Sequence, residues 1–223
     1  PEGVAPIQAV VFDLDGTLID STEAIVNSFR HLFGRIGHEF PGAQAIIDTI
    51  GFPLHEQLPL LTVHPVAECI GLYRAHYAAT SCAATTLIPG ALELLACLRA
   101  RGIRLGFASS KSIVSASMLL EHLGVLQFFD ARIGPEHVRY TKPHPEPVFA
   151  ALAGLGVEPA EAFFVGDMHF DLEAGAAAGV RTLGVATGYC SRAALEALGP
   201  EAVFDDLGQL QEYLCGVLSG YSS

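Results

Sequence analysis

Apolar and polar positions along the chain change period several times. Gln8 to Leu14 is a short apolar run rich in Val and predicts a strand. Asp20, with Glu23 three residues on, predicts a helix start with a reciprocal cap. From about 21 to 85 the pattern is helical only, broken at Gly37, Pro41, Gly51-Phe52-Pro53 and His64-Pro65. From Pro89 the two periods alternate. Helices are predicted over 91–101, 113–123, 146–155 and 171–178, near Ala193, and from Leu207 onward. Strands are predicted over 104–108, 131–133, 162–166 and 181–185, and near 202–204. Alternation of this kind predicts a parallel sheet covered on both faces. The helical stretch predicts an inserted cap, residues 21–85, on a core made of 1–20 and 86–223.

Such sheets place ligands at the carboxyl ends of their strands. The residues able to do chemistry cluster there. Asp13 and Asp15 follow the first strand, Ser109 the second and Asp167 the fourth, and Lys142 lies in the loop after the third.

Composition narrows the class. Hydrophobic residues make up 51% of the 223 and charged residues 16%, which excludes a disordered chain. No apolar run approaches the ~18–20 residues of a membrane span. Pro1 to Pro6 lack a basic segment followed by an apolar one, so no secretory signal is expected. A formal charge of −12 gives little electrostatic reason to bind nucleic acid or anionic membrane. The five cysteines are scattered, odd in number and without a C-x-x-C pair. They are expected to be buried apolar side chains in a reducing, cytoplasmic setting, with no disulfide framework or zinc site. Only two lysines occur, Lys111 and Lys142.

Four motifs carry candidate chemistry. In Val10 to Leu18, Asp13 and Asp15 leave an apolar strand and meet Gly16. If the strand continued, both carboxylates would point one way, and two such charges need a cation between them. A plain Asp-Gly turn explains the segment as well. In Gly106 to Lys111, Ser109 can donate to a phosphate beside free N–H groups, or simply cap the next helix. In Tyr140 to Pro147, prolines are expected to hold the backbone extended and aim Lys142. In Phe163 to Asp171, Asp167 and Asp171 stand four apart, either sharing a helix face or capping one. His169 reads as a surface or packing residue, since magnesium prefers oxygen.

Taken in order, D-x-D-G-T at 13–17, the hydroxyl at 109, the lysine at 142 and G-D-x-x-x-D at 166–171 resemble the haloacid dehalogenase-like hydrolase superfamily over essentially the whole chain. The segment from Phe12 to Ser21 looks most like its phosphoglycolate phosphatase branch, and the helical insertion resembles the four-helix type of cap. The fold this implies is α/β, a three-layer Rossmann-like parallel sheet with a small all-helical cap inserted after the first strand.

By that resemblance Asp13 is the nucleophile and Asp15 the general acid and base. Ser109 and Lys142 hold phosphoryl oxygens. Mg2+ is held by Asp13, the Asp15 main-chain carbonyl and Asp167, with Thr17, Ser110 and Asp171 in support. Four carboxylates and a phosphate dianion in one place require a divalent cation and Lys142. Asp15 argues against dehalogenase activity, which needs no acid for the leaving group. The absence of lysine from 21–85 argues against imine-forming phosphonate cleavage. A β-phosphoglucomutase-like mutase shares Asp15 but commonly has Val where Thr17 stands, and pyrophosphatases share nearly every motif. A catalytically silent regulatory protein is the reading outside enzymes, and intact Asp13 and Asp15 speak against it. The expected partner is a small phosphorylated metabolite. Monomer and homodimer are equally compatible with the sequence. Arg30 and Arg74 are cations of the helical stretch that either meet a substrate carboxylate or are solvated. The Gly51-Phe52-Pro53 turn reads equally as a cover for the site or a connector.

Overall fold

The computed structural model describes residues 6–219. The reading of the first residues as carrying no secretory signal, and the outermost ends of the expected core, fall on 1–5 and 220–223 and lie outside the described residues.

Strand β1 (Ala9–Phe12) is buried along its whole length. Its side chains divide between two apolar layers. Val10 and Phe12 join one cluster, and Ala9 and Val11 join another. This is the period of two expressed on a sheet covered from both sides. The run predicted to reach Leu14 ends at Phe12, because Leu14 turns off the strand and its carbonyl accepts from Thr17, Leu18 and Ile19. Strand β2 (Ile19–Asp20) follows, then helices α1 (Thr22–Ile36), α2 (Ala43–Ile47), α3 (Leu54–Leu61) and α4 (Val66–Thr80). Strand β3 (Thr86–Leu87) then pairs antiparallel with β2. The remaining elements are α5 (Ala91–Ala100), β4 (Arg104–Ala108), α6 (Ile113–His122), β5 (Ala131–Ile133), α7 (Glu146–Leu155), β6 (Ala162–Gly166), α8 (His169–Ala177), β7 (Arg181–Val185), α9 (Arg192–Glu196), β8 (Ala202–Phe204) and α10 (Leu207–Ser219).

Six strands form one parallel sheet in the order β5-β4-β1-β6-β7-β8. The expected α/β class with a Rossmann-like sheet is borne out. The chain builds outward from β1 first to β4 and β5, then back across it to β6, β7 and β8. β1 therefore lies at the topological switch point, where ligands of such sheets bind. Helices α7 and α8 cover one face, packing on the cluster with Ala9, Val11 and Phe164. Helices α5, α6 and α10 cover the other. That second cluster continues without a break into Phe29, Leu32, Ile46, Leu58 and Tyr73 of the inserted helices.

Local details differ from expectation. Asp20 accepts from the Thr22 N–H at 3.0 Å, but α1 begins after Ser21 and Glu23 does not reciprocate. The β2–β3 ribbon at the base of the insertion has too few residues to show a period. No helix among the described residues is long and apolar enough to cross a membrane.

Candidate active site

β1 ends at Phe12, so the strand does not carry on through Asp13 and Asp15. Both line one cavity of about 110 Å³, but they meet different lysines. The Lys142 Nζ donates to Asp13 Oδ1 at 2.8 Å and to Asp171 Oδ1 at 2.6 Å. The Lys111 Nζ lies 3.2 Å from Asp15 Oδ2 and donates to the Tyr77 hydroxyl at 2.7 Å. Ser21 also donates to Asp15. The chain's two lysines thus each neutralise one carboxylate of the first motif.

Asp167 leaves β6 as Asp13 leaves β1. It is fully buried and receives Thr17 Oγ1 at 2.8 Å and the Tyr189 N–H at 3.0 Å. The backbone closes on it from two sides. Gly16 has φ of +85°, and a Cβ there would lie 2.4 Å from Asp167 Oδ2. A Cβ on Gly188 would lie 2.0 Å from the same oxygen. At both positions a side chain would force Asp167 to shift. Asp167 and Asp171 do not share a helix face, because α8 starts only at His169. Asp171 sits in its first turn, accepts from the Met168 N–H at 3.0 Å and is thereby turned back toward Asp13.

Oxygens of Asp13, Asp167 and Asp171 come within 4.8 Å of one another, and all three residues are buried. Such crowding is visible in their proton affinities. Burial pushes Asp13 up from 3.8 to about 7, with Asp171 and Asp15 adding to the rise and Lys142 opposing it. Burial, then Asp171 and Asp13, push Asp167 well above the ordinary carboxylate range. For Lys142, burial favours loss of the proton, but Asp13 and Asp171 beside it hold it charged and raise its pKa. Three hard oxygen donors that repel one another in a dry site fit a small divalent cation.

Ser109 is not the helix cap. Ser112 caps α6, accepting from the Ser115 N–H at 3.3 Å. Ser109 Oγ instead accepts from the Lys111 N–H at 3.1 Å at the cavity wall. Ser110 Oγ is buried in the same wall without a hydrogen-bond partner among the described residues. The Lys142 loop is not extended. The Lys142–Pro143 peptide is cis, and the His144 N–H donates to the Thr141 carbonyl at 3.0 Å to close a turn. Glu146, opening α7, braces the loop by accepting from the Arg139 and Tyr140 N–H groups at 3.0 and 2.9 Å.

The inserted helices form the far wall. The Gly51-Phe52-Pro53 turn lies over the site, with Phe52 packed against Phe170 at 4.8 Å. Arg74 of α4 lines the cavity and has no ion-pair partner among the described residues. Arg30 does not reach it. Its guanidinium lies over Phe40 and donates to Asn27. His169 packs against Phe170, as a packing histidine should. The sequence pattern singled out neither Lys111's pairing nor Tyr77, Ser21 and Gly188. One signal was present, namely that Lys111 is one of only two lysines.

Residues 10–185 match the family model for haloacid dehalogenase-like hydrolases. The pyrophosphatase PpaX of Bacillus velezensis is 34% identical over 207 residues, covering 92% of this chain and 94% of that protein. The tyrosine-protein kinase PtkA of Mycobacterium tuberculosis is 38% identical over 183 residues, covering 82% of this chain but only 63% of the relative. The solved structure of a haloacid dehalogenase-like family hydrolase from Streptococcus pneumoniae superposes with a TM-score of 0.83 at 28% identity, covering 93% of this chain and 98% of that one. The chain therefore belongs to the haloacid dehalogenase-like hydrolase family.

Proposed function

We propose that this hydrolase is a Mg2+-dependent phosphatase that removes the phosphoryl group of a small phosphomonoester, phosphoglycolate-like in size, through an aspartyl-phosphate on Asp13. The observation that carries the reading is the placement of Asp13 at the switch point. It stands within hydrogen-bond distance of Lys142, beside Asp15, in a cavity roofed by the inserted helices.

In this mechanism the Asp13 carboxylate attacks phosphorus, and the ester oxygen leaves with a proton from Asp15. Asp15 then takes a proton from water, which attacks the aspartyl-phosphate and releases inorganic phosphate. Lys142 and Ser109 hold phosphoryl oxygens, and the unpartnered Ser110 hydroxyl is free to donate a further hydrogen bond. Asp13 and Asp167 would hold Mg2+ with the Asp15 main-chain carbonyl, since the Asp15 side chain is committed to Lys111 and Ser21. Asp171 orients Lys142 and stands as a further donor. When bound, the ion neutralises charge on the phosphoryl oxygens. Helices α1–α4, within the expected cap of residues 21–85, exclude water and contact the leaving group. A cytoplasmic enzyme acting on a small phosphorylated metabolite, with neither nucleic acid nor membrane as partner, is consistent with the formal charge of −12.

A pyrophosphatase is the second reading. The name of the Bacillus relative favours it, and so does Arg74, a cavity-lining cation without an ion-pair partner among the described residues, placed to meet a second anionic group. Phosphate release from 2-phosphoglycolate, sugar phosphates, nucleotides and pyrophosphate, with and without Mg2+, separates these readings. Asp13→Asn should abolish release. Activity surviving that substitution would overturn Asp13 as nucleophile, and accumulation of an isomer in place of phosphate would indicate a mutase.

A further inference from the structure

Cys97 and Cys215 read from the sequence as unrelated apolar residues. The fold places them face to face. Cys97 lies on α5 and Cys215 on α10, and these helices pack against each other behind the sheet. Their Sγ atoms are 3.1 Å apart across a sequence separation of 118. Both residues are half-buried, unlike Cys69, which is fully enclosed. A disulfide bond is about 2.05 Å long, so the two sulfurs stand roughly 1 Å from bonding distance. An approach of the two sulfurs by about 1 Å closes that gap.

A third group completes the arrangement. Arg101, just past the end of α5, donates from Nη1 to Cys97 Sγ at 2.8 Å and to the Cys97 carbonyl at 3.2 Å. That guanidinium fixes the Cys97 sulfur beside the Cys215 sulfur. Burial and the adjacent Cys97 thiol push the Cys215 thiol up, while Arg101 opposes the rise. Of the two sulfurs, Cys97 is the better placed to attack and Cys215 to resolve.

We propose that Cys97 and Cys215 are a redox-active pair that closes into a disulfide on exposure to a small-molecule disulfide, tying the last helix to the first helix after the ribbon. The Cys97 thiolate attacks one sulfur of the oxidant, and a protein–small-molecule disulfide forms as one thiol departs. The Cys215 sulfur then attacks Cys97, and the second thiol leaves with the remaining proton. Two protein thiols are oxidised and one small disulfide is reduced to two thiols. Neither cysteine touches the cavity, so the link acts on stability and leaves the chemistry untouched. The covalent loop spans more than half the chain, where cross-linking constrains the unfolded state strongly.

The test uses the full chain, incubated with glutathione disulfide and then blocked with N-ethylmaleimide. Intact mass after denaturation should show three N-ethylmaleimide adducts instead of five, with no lasting glutathione adduct. Peptide mapping should recover a Cys97–Cys215 cross-link. The melting temperature should rise by about 5–10 °C and return on adding dithiothreitol. Cys215→Ser should trap a single glutathione on Cys97, and phosphate release by the reduced Cys97→Ser and Cys215→Ser variants should match the wild type. Persistent glutathione adducts on the wild type, cross-links to Cys69, Cys82 or Cys190, or a chain that stays fully reduced would each overturn the proposal.

Discussion

The ammonium of Lys111 lies 3.2 Å from the carboxylate of Asp15. Lys111 follows β4, and it also donates to Tyr77 on α4. The proposed acid is therefore held by a cation that the inserted helices hold in turn. Burial works against charge on Lys111, but Asp15 and Tyr77 raise its pKa and keep it protonated. Lys111→Met should lower kcat for an alkyl phosphate by about 10–100-fold, because it frees Asp15 from its aim. The loss should be much smaller with p-nitrophenyl phosphate, whose leaving group needs no proton. Tyr77→Phe should show the same pattern more weakly. Equal losses on both substrates would remove Lys111 from any role in positioning the acid.

Asp13 makes stability depend on pH in a defined direction. Its carboxyl is shifted from 3.8 to about 7 by burial and its acidic neighbours. Between those values the folded state holds a proton that the unfolded state releases, so unfolding becomes easier as pH rises through that window. The metal-free protein in EDTA should melt a few degrees lower at pH 8 than at pH 5. Mg2+ should restore more stability at pH 8 than at pH 5, since it replaces the missing proton charge. Thermal melts at the two pH values, with and without Mg2+, provide the measurement. A metal-free protein that gains stability toward pH 8 would contradict the burial argument.

Lys142 joins Asp13 to Asp171 in a buried triad. Lys142→Met leaves both carboxylates without a counter-charge and should cost about 3–5 kcal/mol at neutral pH. Adding Asp13→Asn to that variant should recover part of the loss, because one orphaned charge is gone. Urea denaturation of the two single variants and the double variant measures the coupling. Purely additive costs would show that the pair does not act as a unit.

Gly188 tests how tightly Asp167 is enclosed. A methyl there would come within 2.0 Å of Asp167 Oδ2 and 2.7 Å of the Gly16 Cα. Gly188→Ala should cost about 1–3 kcal/mol through overpacking. It should also raise the Mg2+ concentration needed for activity, since Asp167 must turn to relieve the clash. Titration of phosphate release against Mg2+ reads the second effect. An unchanged Mg2+ requirement would mean that Asp167 is not a ligand.

The sheet was legible because β1, β4 and β6 alternate between two dry faces, as Val10 and Phe12 oppose Ala9 and Val11. That pattern survives in the sequence as short apolar runs with an acid or hydroxyl at each end. Asp13, Ser109 and Asp167 stand at such ends, and Lys142 stands out by the rarity of lysine. What escaped depends on contacts between distant segments. Lys111 meets Tyr77 from 34 positions away, and Gly188 is needed only because Asp167 lies beneath it. The Lys142 loop was expected to be extended, yet a hydrogen bond from His144 to Thr141 bends it. Cys97 and Cys215 read singly in the sequence, because nothing local links two helices that lie 118 positions apart and meet only in the fold.

The stretch from Asp13 to Asp20 does two jobs at once. It carries both acids of the first motif, and its last two residues form β2, one of the two strands by which α1–α4 attach to the sheet. A tether that begins at the two carboxylates proposed to react leaves little slack for the roof to move without the floor noticing. Exchange of the roofing helices for others of different reach would redirect the enzyme toward new molecules while the eight-residue stem kept its aim, provided that the replacement re-supplied a hydroxyl where Tyr77 now meets Lys111.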